Sequence, residues 1–233
     1  MNASSGTLYL VSTPIGNLED ITLRALRVLK EVDLIAAEDT RQTRRLLTHY
    51  KIHTPLTSYF EGNQQMKGDK LVERLEAGEA IALVSDAGTP IISDPGYPLL
   101  RRCIDAEIPI VPIPGASAVV TAASISGLPL HNFVFEGFLS PKSGKRKRQL
   151  GVLADEERTV ILFESPHRLR RFLEDVLEVI GERDIVVTRE LTKRFEEVFR
   201  GNVSEALEKF RDTEPRGEFT ILIAGTRRKY DNT

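Results

Sequence analysis

The 233-residue sequence contains no tryptophan, two methionines and a single cysteine, Cys103. One thiol cannot close an internal disulfide and cannot supply the paired thiolates of a structural zinc site. Charge of one sign is not in excess either. Thirty-two Lys and Arg face 34 Asp and Glu, for a net charge of −2, which excludes a chain coated in cation for nucleic acid. No run approaches the ~18 apolar residues that a membrane span needs. The opening Met1-Asn2-Ala3-Ser4-Ser5-Gly6 lacks the basic-then-apolar order of a secretory signal. A cytoplasmic location without a membrane partner is therefore expected. Several catalytic templates are missing as well: there is no G-x-G-x-x-G, no G-x-x-x-x-G-K-[ST] and no G-x-S-x-G. The four histidines, His49, His53, His131 and His167, show no metal-binding spacing, so no metal is expected.

What is present is a βαβα order. Thr7 to Val11 reads as a strand, Asp20 as the cap of a helix with Leu23, Leu26 and Leu29 at threes, and Val32 to Ala36 as a second strand. Asp39 and Thr40 then open a helix that carries Arg41, Arg44 and Arg45. Ala80 to Val84 and Ile108 to Ile113 are two more buried-strand candidates. The order implies a mostly parallel sheet covered by helices. Gly127-Leu128-Pro129 reads as a boundary, giving an N-terminal α/β domain over 1–127 and a C-terminal α/β domain over 128–233. In the second half, strands are expected at Phe133 to Phe138, Thr159 to Phe163, Ile185 to Thr188, Glu196 to Arg200 and Phe219 to Ala224, with helices at Pro166 to Val179 and Ser204 to Phe210.

In open α/β sheets, ligands bind beyond the carboxyl ends of the strands. Three segments occupy such positions: Ser12 to Asn17, Ser85 to Pro90 with Ser93 to Gly96, and Pro114 to Ala118. Each alone is what a tight turn requires. Together they favour a ligand site, because small residues let a ligand approach the backbone and a carboxylate such as Asp86 can accept from its hydroxyl or amino groups. A second feature breaks the even charge balance. Lys142, Lys145, Arg146, Lys147 and Arg148 put five cations into one short segment.

These segments, with Ala37-Glu38-Asp39-Thr40-Arg41, Phe163-Glu164-Ser165-Pro166-His167-Arg168 and Arg189-Glu190-Leu191-Thr192-Lys193, resemble the class III methyltransferases, also called the tetrapyrrole methylase family. Within it, the similarity is greater to the branch that acts on small-subunit ribosomal RNA. It covers nearly the whole chain. The resemblance implies two α/β domains with S-adenosylmethionine in the cleft between them. By motif position it places Pro14, Ile15, Asp86, Gly88, Thr89, Ser117 and Ala118 beside that cofactor, with Phe163 and Leu191 from the second domain. It further implies a homodimer, and as substrate a cytidine of 16S rRNA within the small ribosomal subunit, methylated on its ribose 2′-oxygen. Relatives in this branch usually run some tens of residues longer, whereas this sequence ends soon after Gly225, with Arg227-Arg228-Lys229 near its end.

A ribose hydroxyl is a poor nucleophile until its proton is taken, so a positioned base helps methyl transfer. Glu38 and Asp39 follow the second strand and are the expected candidates. Glu164 and Glu190 are rivals, and Asp39 has an equally good reading as a helix cap. Lys142, Lys145, Arg146, Lys147 and Arg148 are expected to form a mobile loop that grips RNA, assisted by Arg41 and Arg44, since each phosphate contact adds affinity that salt weakens. A solvated charged helix face is the plainer alternative. Two other functions compete: methylation of a tetrapyrrole, which needs no polybasic segment, and a non-catalytic RNA-binding assembly factor that has lost turnover.

Overall fold

The computed structural model describes residues 6–211 and 216–226. The basic Arg227-Arg228-Lys229 and the opening Met1 to Ser5 lie outside the described residues. The chain forms two compact units, Met1–Ser117 and Ala118–Thr233.

The first unit alternates strands and helices: β1 (Thr7–Val11), α1 (Leu23–Glu31), β2 (Leu34–Ala37), α2 (Thr40–His49), β3 (Leu56–Ser58), α3 (Gln64–Glu76), β4 (Ala80–Val84), α4 (Tyr97–Asp105) and β5 (Ile110–Ile113). All five strands are parallel, in the order β3-β2-β4-β1-β5. Each strand alternates its side chains between two apolar layers. Ala82 and Val84 pack with Leu29, Val28 and Leu46 of α1 and α2 on one face, while Ile81 and Leu83 pack with Leu71, Leu75 and Leu99 of α3 and α4 on the other. Burial on both faces is why the strands read as continuous apolar runs. Thr22, not Asp20, caps α1, its Oγ1 accepting from the Ala25 N–H at 3.0 Å. Asp20 instead closes a 3₁₀ turn over Leu18–Asp20.

The second unit contains α5 (Ala118–Ser126), β6 (Phe133–Phe138), α6 (Ser143–Leu153), β7 (Thr159–Glu164), α7 (Leu169–Val179), β8 (Asp184–Arg189), β9 (Glu197–Asn202), α8 (Val203–Lys209) and β10 (Phe219–Ile223). Its sheet runs β6-β7-β10-β8-β9. Only β6 and β7 are parallel neighbours; the remaining pairs are antiparallel. One face packs on α6, α7 and α8 through Leu150, Phe172, Val176 and Ala206.

The division between units falls ahead of α5, whereas the sequence boundary at Gly127-Leu128-Pro129 lies at that helix's far end. Gly127, at φ +78°, ends a helix that already belongs with the second sheet. Helix α5 packs on β10, and the Arg200 guanidinium donates to the Ile125 and Ser126 carbonyls at its C-terminus.

Candidate active site and basic surface

Because every strand of the first sheet is parallel, the turns after β1, β2, β4 and β5 share one rim. The turn after β1 and the turn after β4 are laced together. Thr13 N–H donates to the Gly88 carbonyl at 2.8 Å, and Gly88 N–H donates back to Thr13 at 3.1 Å. The Ser12 and Thr89 hydroxyls lie 3.0 Å apart, and Thr13 Oγ1 donates to the Ser85 carbonyl at 3.2 Å. Gly88 takes φ +79°, and a Cβ added there would sit 3.6 Å from Ile15 Cγ2 and 3.8 Å from the Ala116 carbonyl oxygen. The turn after β5 closes on the same place, since a Cβ on Gly115 would approach Ser12 Cβ to 2.9 Å. Three turns read separately in the sequence thus come together on one rim. Pro14 and Ile15 are buried beneath it, Asp86 is exposed on it, and Ser117 is half-buried at its end. Ala118 is the first residue of α5, in the second unit.

The turn after β2 adds carboxylates. Asp86 Oδ1 accepts the Asp39 N–H at 2.9 Å, which ties the β2 turn to the β4 turn. Asp39 caps α2, its Oδ1 accepting from the Arg41 N–H at 2.8 Å. The same carboxylate holds the Arg41 guanidinium at 2.6 Å, and this hydrogen bond lowers its pKa to about 2. Glu38 differs. Burial raises its pKa, and the neighbouring Asp94 and Asp86 carboxylates add to the shift. Asp94 is pushed up to about 6, chiefly by burial, against a hydrogen bond from Ser85 that lowers it. Sequence reading passed over Asp94, although the Ser93-Asp94-Pro95-Gly96 turn was the available signal. The rival carboxylates are occupied. The Glu164 side chain is fully buried against Arg168, 2.9 Å away, and Glu190 binds Lys193 at 2.8 Å. Among the described residues, no three His, Cys, Asp or Glu side chains gather as a metal cage requires.

In the second unit, Phe163 is half-buried near the end of β7, and Leu191 is buried just after β8. The basic segment is not a loop. It forms helix α6, with Lys142 at the N-cap position. Arg146 turns inward, with 2% of its side chain exposed. It donates to Asp175 through Nε at 2.7 Å, and Ser143 Oγ donates to the same carboxylate at 3.0 Å. Lys147 is tied to Glu178 at 2.5 Å. Lys142, Lys145 and Arg148 remain exposed. Arg41 and Arg44 are exposed on α2 in the first unit, with Arg41 held by Asp39.

The sequence pattern of the family described as Tetrapyrrole (Corrin/Porphyrin) Methylases matches residues 7–207. The chain belongs to the tetrapyrrole methylase family. Other members are much closer in sequence than the tetrapyrrole enzymes that share the fold. The Halalkalibacterium halodurans protein named ribosomal RNA small subunit methyltransferase I is 50% identical over 97% of this chain and 78% of its own length. The Thermotoga maritima protein of the same name is 49% identical over 94% of this chain and 99% of its own. Among solved structures, a cobalt precorrin-4 methyltransferase superposes with a TM-score of 0.71 at 18% identity, over 94% of both chains. That likeness bears on fold alone.

Proposed function

We propose that this chain is an S-adenosylmethionine-dependent methyltransferase of the small ribosomal subunit, which methylates the ribose 2′-oxygen of a cytidine in 16S rRNA. The observation that carries this reading is identity near one half, over almost the whole chain, with enzymes named for small-subunit ribosomal RNA. The rim fits the cofactor by its chemistry. Gly88 and Gly115 let the turns after β1, β4 and β5 close on one another, and Asp86 is an exposed carboxylate there, suited to hydroxyl and amino groups. When bound, the cofactor supplies a methyl group on a positively charged sulfur.

The chain's own residues then have two tasks. Asp86, Thr89 and Ser117 hold the cofactor, aided by apolar contact from Pro14, Ile15 and Ala118. The motif assigns further cofactor contacts to Phe163 and Leu191. Glu38 receives the proton of the ribose hydroxyl. It suits this better than Asp39, because a base works best with a pKa near the working pH, and Asp39 is committed to Arg41 and to the N-terminus of α2. Lys142, Lys145 and Arg148 contact phosphates, while Arg41 and Arg44 assist from α2. We further propose a homodimer in the cytoplasm, where the substrate is made.

The test is transfer of labelled methyl from S-adenosylmethionine to small subunits that lack the modification, with the labelled nucleotide mapped. Label on a cytidine ribose is the expected outcome. Label on a uroporphyrinogen-type substrate but not on the subunits would reverse the reading. Calorimetry should show S-adenosylmethionine binding that weakens in Asp86→Ala, and no binding by the unaltered protein would end it.

A further inference from the structure

The proposed chemistry leaves the charged members of Arg189-Glu190-Leu191-Thr192-Lys193 without a task. Residues 190–196 join β8 to β9, a connection that antiparallel neighbours can make with about two residues. The extra length folds back on the protein, so that Leu191 is only 7% exposed. On either side of Leu191 the backbone is forced: Glu190 takes φ +50° and Thr192 φ +67°. A β-branched residue such as threonine is a genuine outlier there. Of the other described non-glycine residues at positive φ, Lys51 and Glu107 follow the ends of α2 and α4, an ordinary way to finish a helix. Ile91 and Ser93 lie in the segment after β4 that belongs to the rim. Strain of this kind persists only where the surroundings over-determine it, and it gathers at ligand clamps and active sites.

A network of bonds holds the turn. Glu190 N–H donates to the Glu218 carbonyl at 2.9 Å, and Glu218 N–H donates back to Glu190 Oε1 at 3.0 Å. Lys193 Nζ bridges Glu190 Oε1 at 2.8 Å and Glu218 Oε2 at 2.9 Å, and the Lys193 N–H donates to the Glu190 carbonyl at 3.0 Å. Thr192 N–H donates to Glu196 Oε2 at 2.6 Å. Gly217 makes the room: it takes φ +96°, and a Cβ on it would lie 2.4 Å from Glu190 Cγ. Burial works to raise the Glu190 pKa, but the Lys193 ammonium and the Glu218 N–H outweigh it and hold the group below its ordinary value. Glu190 is thus an ionised anchor, a poor proton acceptor.

The sheet register shows what is anchored. Phe163 of β7 and Thr188 of β8 flank Thr220 of β10 from either side. Both outer strands are antiparallel to β10, so they end at the same edge. Phe163 and Leu191, the two cofactor contacts that the motif assigns to this unit, therefore belong to one edge of one sheet. We infer that Glu190 is a positioning residue for the cofactor: with Lys193 and Glu218 it pins the strained turn that presents Leu191 to S-adenosylmethionine. This rests on the methyltransferase reading above, and it gives the motif's charges a use outside the chemical step.

Calorimetry with S-adenosylmethionine is the test. Glu190→Ala and Lys193→Met should each bind the cofactor about tenfold more weakly, the scale of a lost charged hydrogen bond. Glu190→Gln keeps an acceptor of the same size and should restore most of the affinity. In turnover, Glu190→Ala should raise KM for the cofactor and leave kcat at saturating cofactor within about threefold. Because Glu190 acts through Leu191, Glu190→Ala should cost little further affinity once Leu191→Ala is present. Should Glu190→Ala fail to fold, Lys193→Met carries the same cycle. Full additivity in that cycle would overturn the inference. So would a lowered urea midpoint with unaltered cofactor affinity, which would make the network a support for the hairpin alone. A kcat lost as deeply in Glu190→Gln as in Glu190→Ala, with KM unchanged, would make Glu190 a base and overturn it as well. If the unaltered protein binds the cofactor and Glu190→Ala binds it equally, only this inference fails. If the unaltered protein binds none, the methyltransferase reading fails and this inference with it.

Discussion

The rim of the first unit and the second unit treat their carboxylates differently, although elsewhere in the first unit Glu31, Asp69, Glu79 and Asp105 are paired with arginines. On the rim of the first, the parallel sheet brings every strand's C-terminal turn together, and the Asp86 carboxylate adds to the raised proton affinity of Glu38 and of Asp94. In the second, antiparallel neighbours send strand ends both ways, and carboxylates meet cations instead. Glu164 has Arg168, Glu190 has Lys193, and Glu197 has Arg189 and Lys209. Parallel topology thus crowds Glu38, Asp86 and Asp94 where chemistry is proposed, while in the second unit acid serves as structural glue. The contrast also ranks the candidate bases: Glu38 stands among like charges, and its former rivals are paired.

The largest effect that would sharpen this contrast is expected in the second unit. Asp175→Ala leaves the Arg146 guanidinium buried without its partner, and breaking such a pair costs about 3–5 kcal/mol. A urea titration should show the midpoint falling accordingly. Replacing both residues with apolar ones, Arg146→Met with Asp175→Leu, should recover most of the loss. If Asp175→Ala unfolds like the unaltered protein, the acid-as-glue reading of this unit breaks. The next effect lies on the rim of the first unit. Glu38→Gln should lower kcat for methyl transfer on the order of 100-fold, the scale of a lost general base, with cofactor affinity unchanged by calorimetry. Asp39→Asn, at a carboxylate already committed to Arg41, should cost only a few-fold. Equal losses in both variants would erase the distinction between them.

Much of the first unit was legible because its signals are local. Apolar runs such as Ala80 to Val84 mark strands buried on both faces, and Ser, Gly and Pro mark turns by their own backbone preferences. Short or interrupted elements carried weaker signals. Strand β3 is three residues long, helix α3 contains Gly68, and α4 opens directly after Pro95-Gly96 with Pro98 in its first turn. The basic segment was misread as a loop for a different reason. Its string of cations looks solvated in isolation, and nothing local announces that Arg146 will meet Asp175 from another helix. Asp39 shows the converse. The sequence offered cap and base with equal force, and the Arg41 fork tilts the balance toward the cap. A C-terminal glycine such as Gly127 marks where a helix ends, not which sheet it packs on, so the packing of α5 on β10 has no local signal.

A smaller effect separates the exposed cations of α6 from the buried one. Lys145→Ala with Arg148→Ala removes two proposed phosphate contacts while sparing the Asp175 network. Affinity for single-stranded RNA should fall about tenfold near 0.1 M salt, and the slope of log K against log salt should shrink by about 1.5. Urea stability should be unchanged. An unchanged slope would return these residues to the plain role of a solvated helix face.

The smallest effect concerns the crowding of acid on the rim itself. The pKa of Asp94 is raised from 3.8 to about 6 in the folded chain. Between those values the folded state binds more protons than the unfolded state, so stability falls as pH rises from about 4 to about 6 and then levels off. Below pH 4 both states are protonated and the contribution vanishes. Asp94→Asn keeps an acceptor for Ser85 and cannot ionise, so it should match the unaltered protein near pH 4 and exceed it at pH 7. A rise from 3.8 to about 6 would be worth roughly 3 kcal/mol by itself; with part of the group open to solvent, about 1 kcal/mol is expected. Urea midpoints at pH 4.5 and 7 read the difference directly. A gain of the same size at both values would mean that Asp94 is strained by packing rather than by charge, and the contrast between crowded acid in one unit and paired acid in the other would rest on Glu38 alone.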